Sequence, residues 1–413
     1  MWLYFLILRI ASLWNEKARK LVKGQAETLG LLKQSGIQNH SDATTVWIHA
    51  ASVGEAEQAR PVIEQLRKKQ TDAAAPLHIV MTFFSPSGYE AWKGKEQEKG
   101  VDEVLYLPFA SRRNAKRWVS AVQPQMALFI KYEYWRPYLR ELHKKGIPTY
   151  SVASVFRRWQ AFFKPLTGRR YRSLLRYFTK ILVQDDASRQ LLEQYGITNT
   201  AVVGDPRFNR VLEIADEAFA EPMIEQFVTG AGQVIAAGST WEKDERLLVR
   251  YIDEHPDVKL ILVPHELNEA HLHLIFNLFR GRFIRLTEAT ERNIRQTQVL
   301  LVDKMGLLSR LYRYATVAYV GGAFKTGLHN TLEPAAHGKA VVFGRHYDHF
   351  REAAGLIQAG GGFSVKNYKE LERVLDQLLA EPHEAGIKAK EFVLSEQDAT
   401  EKIIQQLNSQ NIQ

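Results

Sequence analysis

Residues 46–63, VWIHAASVGEAEQARPVI, read as a β-strand through His49, a turn at Ser52-Val53-Gly54 and a helix that opens on Glu55. A carboxylate at that corner, at the carboxyl end of a strand, can serve as general base toward a sugar hydroxyl within hydrogen-bond reach. It reads equally well as a charge that complements the helix dipole, worth about 0.3–1 kcal/mol. The positive helix end should also lower its pKa. A second carboxylate, Glu133, follows another strand in LFIKYEYWRPYL, between Lys131 and Trp135. Arg207, in GDPRFNRV, suits charge developing on a departing phosphate, or an ion pair where the first half of the chain hands over to the second.

Two glycine-rich turns lie in the second half. TVAYVGGAFKTGLHNTLEPAAHGKAVVFG reads strand, turn, helix start at His329-Asn330-Thr331, short helix and strand. Amides at such a helix start can hold a phosphate, glycines admit a ligand close to the backbone, and Glu333 would accept from a ribose hydroxyl pair. A purely structural turn is the other account. In AAGSTWEKDE, Gly238, Ser239 and Thr240 offer a second anion pocket or ordinary helix caps.

Other motifs fail. There is no phosphate-cradling G-x-x-x-x-G-K-[ST] run, and the glycine pair of GAGQVI precedes a strand where a dinucleotide site would follow one. The two histidines of HELNEAH do not share a helix face as zinc ligands would. AASVG lacks the first glycine of a serine-hydrolase elbow. No D-x-D occurs, so a phosphate must be met by amides and cations; neither metal nor cofactor is expected.

These residues need elements to position them. With 413 residues, 45% hydrophobic and 24% charged, the chain can build two ordinary domains and is no disordered or fibrous protein. The absence of Cys removes disulfides, thiol catalysis, iron–sulfur clusters and thiolate zinc. From residue 45, short β-rich runs (TTVWIHAAS, LHIVMTFF, EVLYLPF, QMALFIKY, PTYSVAS, KILVQDD, TAVVGD) alternate with amphipathic helices. After a helical, acidic connection the pattern restarts with QVIAAGS, KLILVPH, RFIRLTE, QVLLVD, TVAYVGG, AVVFG and GGFSV. The class is therefore α/β, with two Rossmann-like, doubly wound parallel-sheet domains expected to face a central cleft. The expected boundaries are 1–25 for a membrane-associated helix, 26–205 for the first domain and 206–230 for a linker. The second domain takes 231–395 and a C-terminal helix 396–413.

Charge is uneven. Residues 1–200 carry 31 Lys+Arg against 17 Asp+Glu, which leaves 24 against 29 in 201–413. Between Lys144 and Lys180 there is no acidic residue, while Arg157, Arg158, Lys164, Arg169, Arg170, Arg172 and Arg176 crowd together. That stretch reads as a site for a phosphorylated lipid, an anionic membrane or nucleic acid, or as a solvated helix face. The opening MWLYFLILRIASLW is too short, and too interrupted by Arg9, for a bilayer span of about 20 apolar residues. Its helical spacing fits a helix lying in the membrane interface, with the following basic residues on the cytoplasmic side.

Taken in order, SVGE at 52–55, KYEYW at 131–135, GDPRF at 204–208, AAGSTWEKDE at 236–245, LVPHE at 262–266, KMGLL at 304–308 and VGGAF…GLHNTLEPAAHGKAVVFG at 320–344 resemble the 3-deoxy-D-manno-octulosonic acid (Kdo) transferases of lipopolysaccharide synthesis. The resemblance covers nearly the whole chain. It implies a GT-B glycosyltransferase that moves Kdo from CMP-Kdo to the tetra-acylated lipid A precursor, without a metal, at the inner face of the cytoplasmic membrane of a Gram-negative bacterium. It implies Glu55 as base, with Glu133 and Arg207 supporting the transition state. It assigns donor contacts to Pro264, His265, Met305, Gly306, Leu307, Asn330, Thr331, Leu332 and Glu333. The family often has Pro-Arg where Pro264-His265 stands and Asn-Pro-Leu-Glu where Asn330-Thr331-Leu332-Glu333 stands, and a neutral His pairs with phosphate less well than Arg. The basic 157–176 cluster would hold the acceptor's phosphates or the anionic membrane; nucleic acid is not an expected partner. A UDP-sugar donor, or a non-enzymatic basic membrane-binding scaffold, are the competing readings.

Overall fold

The computed structural model of the chain describes residues 2–34, 43–70, 76–325 and 327–411. They form two compact units, one of Met1–Arg210 with Asp398–Gln413 and one of Val211–Gln397.

The first unit is built on a 7-stranded sheet: β1 (Thr44–Ala50), β2 (Leu77–Phe83), β3 (Glu103–Tyr106), β4 (Met126–Ile130), β5 (Thr149–Ser154), β6 (Lys180–Val183) and β7 (Thr200–Val202). The order is β3-β2-β1-β4-β5-β6-β7 and every pairing is parallel. β1, β2 and β4 are buried almost throughout, as continuous apolar runs must be when helices cover both faces of a parallel sheet. On one face Trp47 packs edge to face with Phe129 and Tyr138 and tilted against Trp118, with Trp47 to Phe129 centroids 5.1 Å apart.

The second unit carries another 7-stranded parallel sheet: β8 (Gln233–Thr240), β9 (Val258–Pro264), β10 (Ile284–Arg285), β11 (Val299–Leu301), β12 (Val317–Val320), β13 (Ala340–Gly344) and β14 (Gly362–Val365), in the order β10-β11-β9-β8-β12-β13-β14. Both units are thus Rossmann-like and doubly wound, as the sequence predicts. In each sheet the strand order reverses once beside the first strand, between β1 and β4 and between β8 and β12. Connections leave opposite faces at such a point and open a crevice at the carboxyl ends of the strands. Glu55 follows β1, Glu133 follows β4, Gly238–Thr240 end β8, and Gly321-Gly322 follow β12.

The N-terminus forms a helical hairpin, α1 (Trp2–Ala11) and α2 (Glu16–Gln34). Asn15 caps α2 by accepting from Ala18 N–H at 3.0 Å. Leu21, Gln25 and Thr28 are buried, and Lys20 reaches Glu90 at 2.8 Å. Gly24 lies flat against the Tyr106 ring of β3, where a Cβ would come within 2.3 Å, so only glycine lets α2 seat there. Leu6, Ile7 and Ile10 of α1, with Leu13 and Trp14 beyond it, remain exposed. No helix among the described residues is long and apolar enough to cross a membrane.

The C-terminal helix Ala399–Asn411 returns to the first unit, where Ile403, Ile404 and Leu407 join the core beside Ala59, Val62 and Leu66 of α3 (Val53–Gln70). Thr400 N–H donates to Asn209 and Lys180 to Gln406. Each buried aliphatic side chain is worth about 1.5–3 kcal/mol. Ending the chain at Gln397 should therefore lower the melting temperature of the first unit by roughly 10 °C or more, while the transition of the second unit stays in place; calorimetry of the truncated chain checks this.

Candidate active site

At the reversal point of the first sheet the chain brings Glu55 and Glu133 together. Glu55 sits in the first turn of α3 and folds back so that its Oε2 accepts the Ala51 N–H at 2.6 Å. Its other oxygen has no partner among the described residues. The group is partly buried, and that burial raises its pKa above the ordinary 4.5 against the opposing pull of the Ala51 amide; the Glu133 charge raises it further, while Lys131 and His49 lower it. The sequence expectation of a lowered value is therefore corrected: desolvation outweighs the pull of the Ala51 amide.

Glu133 is held from two sides. Trp135 Nε1 donates to Glu133 Oε2 at 2.6 Å, and His49 Nε2 meets the same oxygen at 3.0 Å. His49 is fully buried; its Nδ1 lies 2.9 Å from Thr82 Oγ1, which also accepts from Trp47 Nε1 at 2.8 Å. His49 Nδ1 also lies 3.1 Å from Thr82 O, so a continuous chain of polar contacts runs Trp47–Thr82–His49–Glu133–Trp135 through the imidazole. Trp135 stacks on Phe84 at 5.2 Å, which fixes the indole that in turn fixes the carboxylate.

The backbone beneath is strained. Lys131, the residue after β4, has φ 57°, and Ala153 in β5 also has φ 57°, next to a register shift between Ser151 and Ser154. Non-glycine residues in that region cost on the order of 1–3 kcal/mol each. The Lys131 turn is pinned by Ser154 Oγ, which donates to Lys131 O at 2.9 Å.

Arg207 is clamped by Asp205, whose nearly buried carboxylate accepts from Arg207 Nε at 2.8 Å and from its backbone N–H at 3.0 Å. Its helix, Arg207–Asp216, is tied to α3 through Arg210 and Glu57 at 3.2 Å. The basic cluster divides. Arg157 is forked on Asp185, at 2.8 and 3.3 Å, and Arg172 donates to Phe162 O at 2.6 Å while lying over the Tyr195 ring. Those two cations are occupied by the fold. Arg158, Lys164, Arg169, Arg170 and Arg176 are exposed, alongside Trp159 and Leu166, the latter 97% exposed.

In the second unit the turns after β8 and β12 lock together. A Cβ on Gly238 would lie 2.1 Å from the Tyr312 hydroxyl, and one on Gly321 would lie 2.4 Å from Ser239 O. Ser239 takes φ 52° at a register shift between Gly238 and Thr240. Asp244 ties the two turns by accepting from Trp241 N–H, Gly322 N–H and the Tyr319 hydroxyl at 3.0, 3.0 and 2.7 Å. Thr240 turns inward to Glu245, at 3.0 Å. The expected anion pocket at Gly238-Ser239-Thr240 is accordingly reduced, since the Thr240 hydroxyl and the Trp241 amide are already used by carboxylates.

Asn330 likewise spends its side chain locally, accepting from Leu332 N–H at 3.1 Å and donating to Glu333 Oε1 at 3.0 Å. The helix it opens, Leu332–Ala336, is one turn long, too short to concentrate much dipole on a phosphate. The expected phosphate cradle of helix-start amides is corrected to that extent. Thr331 and Leu332 are fully buried, with Thr331 Oγ1 unpartnered; Pro264 is buried; Met305 is 84% exposed next to Gly306 and Leu307. In place of the cradle stands a three-ring stack. Trp241 lies against His265 at 4.9 Å and His265 against His329 at 4.3 Å, while Trp241 Nε1 donates to His329 Nε2 at 3.1 Å. His271 is held on the buried Glu245 at 2.9 Å.

With this geometry in view, the family profile described as "3-Deoxy-D-manno-octulosonic-acid transferase (kdotransferase)" matches residues 23–210. A 3-deoxy-D-manno-octulosonic acid transferase of Rickettsia felis is 24% identical over 407 residues, covering 91% of this chain and 83% of its own length. The chain is a glycosyltransferase similar to the Kdo transferases over most of its length. A bifunctional glycosyltransferase/methyltransferase of Fusobacterium nucleatum is 23% identical over 346 residues, with 82% of this chain and 53% of that longer protein covered. Among solved structures, the UDP-GlcNAc 2-epimerase of Neisseria meningitidis superposes with a TM-score of 0.66 at 13% identity, over 88% of this chain and 100% of that one, a likeness of fold.

Sequence reasoning put Glu55 and Glu133 at the transferase's crevice and named His329 only as part of a helix start, while it gave no role to the side chains of His49 and Trp241. His49 hides in an otherwise apolar strand; a lone buried imidazole two residues before a catalytic-type turn is the signal that was available. Two tests follow from these contacts. His49→Phe keeps the ring against Phe129 and deletes the bond to Glu133; because His49 lowers the Glu55 pKa, its loss should shift the acid limb of the pH–kcat/KM profile upward, whereas a purely packing role would leave the limb in place. Burial, then His265, brings the His329 pKa from 6.5 down to about 4. The unfolded chain binds that proton near 6.5 and the folded one only near 4, so this stabilisation is complete above about pH 6.5 and is lost as pH falls toward 4. His329→Gln should flatten that part of the melting-temperature slope of the second unit between about pH 7 and 4.5; identical slopes would contradict the assignment.

Proposed function

We propose that this transferase moves Kdo from CMP-Kdo to a primary hydroxyl of the acylated, phosphorylated glucosamine disaccharide that precedes lipid A, with inversion and with Glu55 as general base. The observation that carries the reading is the Glu55 carboxylate itself. One oxygen is anchored on Ala51, the other is open, and partial burial makes it a better base than a solvated glutamate. The Kdo transferase family supports the sugar, and the acceptor follows as the hydroxyl donor on which such an enzyme acts.

In the proposed step Glu55 takes the proton as the acceptor oxygen attacks the anomeric carbon of Kdo. A carbon–oxygen bond forms, the bond from that carbon to the phosphate oxygen breaks, and its electron pair leaves with CMP. One displacement needs one base and no covalent sugar intermediate. Glu133, kept in place by His49 and Trp135, maintains the raised Glu55 pKa. Arg207, held by Asp205, offsets charge on the departing phosphate. The second unit binds the nucleotide through its crevice, where the exposed His265 stands in place of the arginine often found in the family and the neutral ring of His329 lies against it. The enzyme works at the cytoplasmic face of the inner membrane, where the exposed apolar side of α1 and the basic residues Arg9, Lys17, Arg19 and Lys23 suit an anionic interface.

Removing a positioned general base costs about 10²–10⁴ in rate. Glu55→Gln should therefore drop kcat by at least about 100-fold with CMP-Kdo binding nearly unchanged. Turnover equal to wild type rejects the base assignment. Offering UDP-GlcNAc beside CMP-Kdo in the same assay separates the rival donor.

A further inference from the structure

The Glu55–Glu133 crevice holds a charge balance that an acid sugar must upset. An octulosonic acid carries its carboxylate on the anomeric carbon itself. In the proposed step the attacking oxygen lies about 2.6–3.2 Å from the base that takes its proton and about 3–3.5 Å from the carbon it attacks. The sugar's carboxylate therefore arrives two short contacts from Glu55, whose pKa already registers the Glu133 charge, and partial burial strengthens repulsion between like charges there. Two glutamates alone would turn such a sugar away.

Lys131 and His49 both act on Glu55 against the Glu133 charge. His49 is fully buried, with one ring nitrogen on Glu133 and the other on Thr82, so no ligand meets it. Lys131 is only half-buried, and it is the first residue after β4, at the same strand-order reversal that delivers Glu55 and Glu133. Its backbone is fixed to β5 on both sides: the N–H donates to Val152 O at 2.8 Å and the carbonyl accepts from Ser154 Oγ at 2.9 Å. These bonds hold the φ of 57°, a conformation strained for lysine. Ala153 takes the same φ with only a methyl group, so the strain shows that the turn is rigid; the use of the lysine follows from the charges around it. Two other cations are committed elsewhere. Arg157 is forked on Asp185, and Arg207 is clamped on Asp205, where the proposed step gives it the departing phosphate.

We infer that Lys131 is a specificity-determining residue of the transferase: its ammonium pairs with the carboxylate on the anomeric carbon of the donor sugar and makes a crevice of two glutamates receptive to a third carboxylate. The inference rests on the proposed function for the identity of the sugar and extends it to how that sugar is told from a neutral one. A lysine suits the task, since its ammonium brings three donors on a flexible stem and meets a carboxylate in a charge-assisted bond. A neutral sugar gains nothing from that cation. Preference for an acid donor is thus built from one attraction set against two repulsions.

The test measures the preference for the acid sugar apart from the rate. Wild type, Lys131→Met and Lys131→Arg, each checked for an unchanged melting temperature, are assayed as full chains with the lipid acceptor in neutral detergent micelles. CMP-Kdo is the substrate, and its C1 carboxamide, uncharged at that position, is the competitive inhibitor. Because Lys131 lowers the Glu55 pKa, its removal moves the acid limb upward whatever else it does, so constants are compared on the plateau above that limb. Lys131→Met should lower kcat/KM for CMP-Kdo about tenfold or more, as loss of one charge-assisted pair does, and leave the inhibition constant of the carboxamide within about twofold of wild type. Lys131→Arg keeps the charge and should recover most of the loss. An equal loss toward both compounds, or no loss toward CMP-Kdo, would overturn the inference and leave Lys131 as a group that only tunes Glu55. Wild type that turns over UDP-GlcNAc and not CMP-Kdo would bring down the proposed function and this inference with it, whereas normal wild-type turnover with an unchanged acid-to-amide ratio in Lys131→Met removes Lys131 alone.

Discussion

The first unit is organised around a like-charge problem: two carboxylates at one strand-order reversal, in a place where burial makes charge costly. Glu133 stays in position because His49 and Trp135 both bond one of its oxygens, and Glu55 is anchored through the Ala51 amide. Each then shapes the other, the Glu133 charge lifting the Glu55 pKa while Lys131 and His49 hold it back. The supporting shell is extensive for this reason. Thr82, Trp47 and Phe84 fix the rings that fix Glu133, and a strained Lys131 turn, braced by Ser154, delivers the residue to the end of β4. A site whose carboxylates must be held against repulsion is built on rigid strands rather than on mobile loops.

In the second unit two glycine-rich turns meet at the strand-order reversal between β8 and β12. The turn amides that a phosphate would use are partly claimed by Asp244 and by Asn330. Those bonds keep two glycine-rich turns in register at contact distances that a methyl group would break. What the crevice presents there is a flat set of rings, with Trp241, His265 and His329 stacked in sequence. A neutral His329 accepting from the Trp241 indole keeps that stack intact across physiological pH.

The architecture was highly legible because parallel strands buried on both faces read as short apolar runs, and each run expected from the sequence has its strand. Glu55 and Glu133 were legible for the same reason: a residue just after a strand in a doubly wound sheet is delivered to the carboxyl edge. Interactions between distant segments were not. Nothing in the local pattern says that Ile403 and Leu407 pack on α3 or that Asp185 neutralises Arg157. The sign of the Glu55 shift was missed because a helix dipole is readable from sequence position and desolvation is not. His49 was passed over since an imidazole inside an apolar strand looks the same in sequence whether it packs or bonds.

The most direct test of the account is the pKa of Glu55, read from the carboxyl ¹³C shift of labelled enzyme across the acid range, with the resonance assigned by its loss on Glu55 substitution. A titration midpoint clearly above 4.5 that coincides with the acid limb of the kcat/KM profile is the predicted result. A midpoint at or below 4.5 would contradict it, because the carboxylate would then be governed by the helix end and the Ala51 amide, with no buried base at the site.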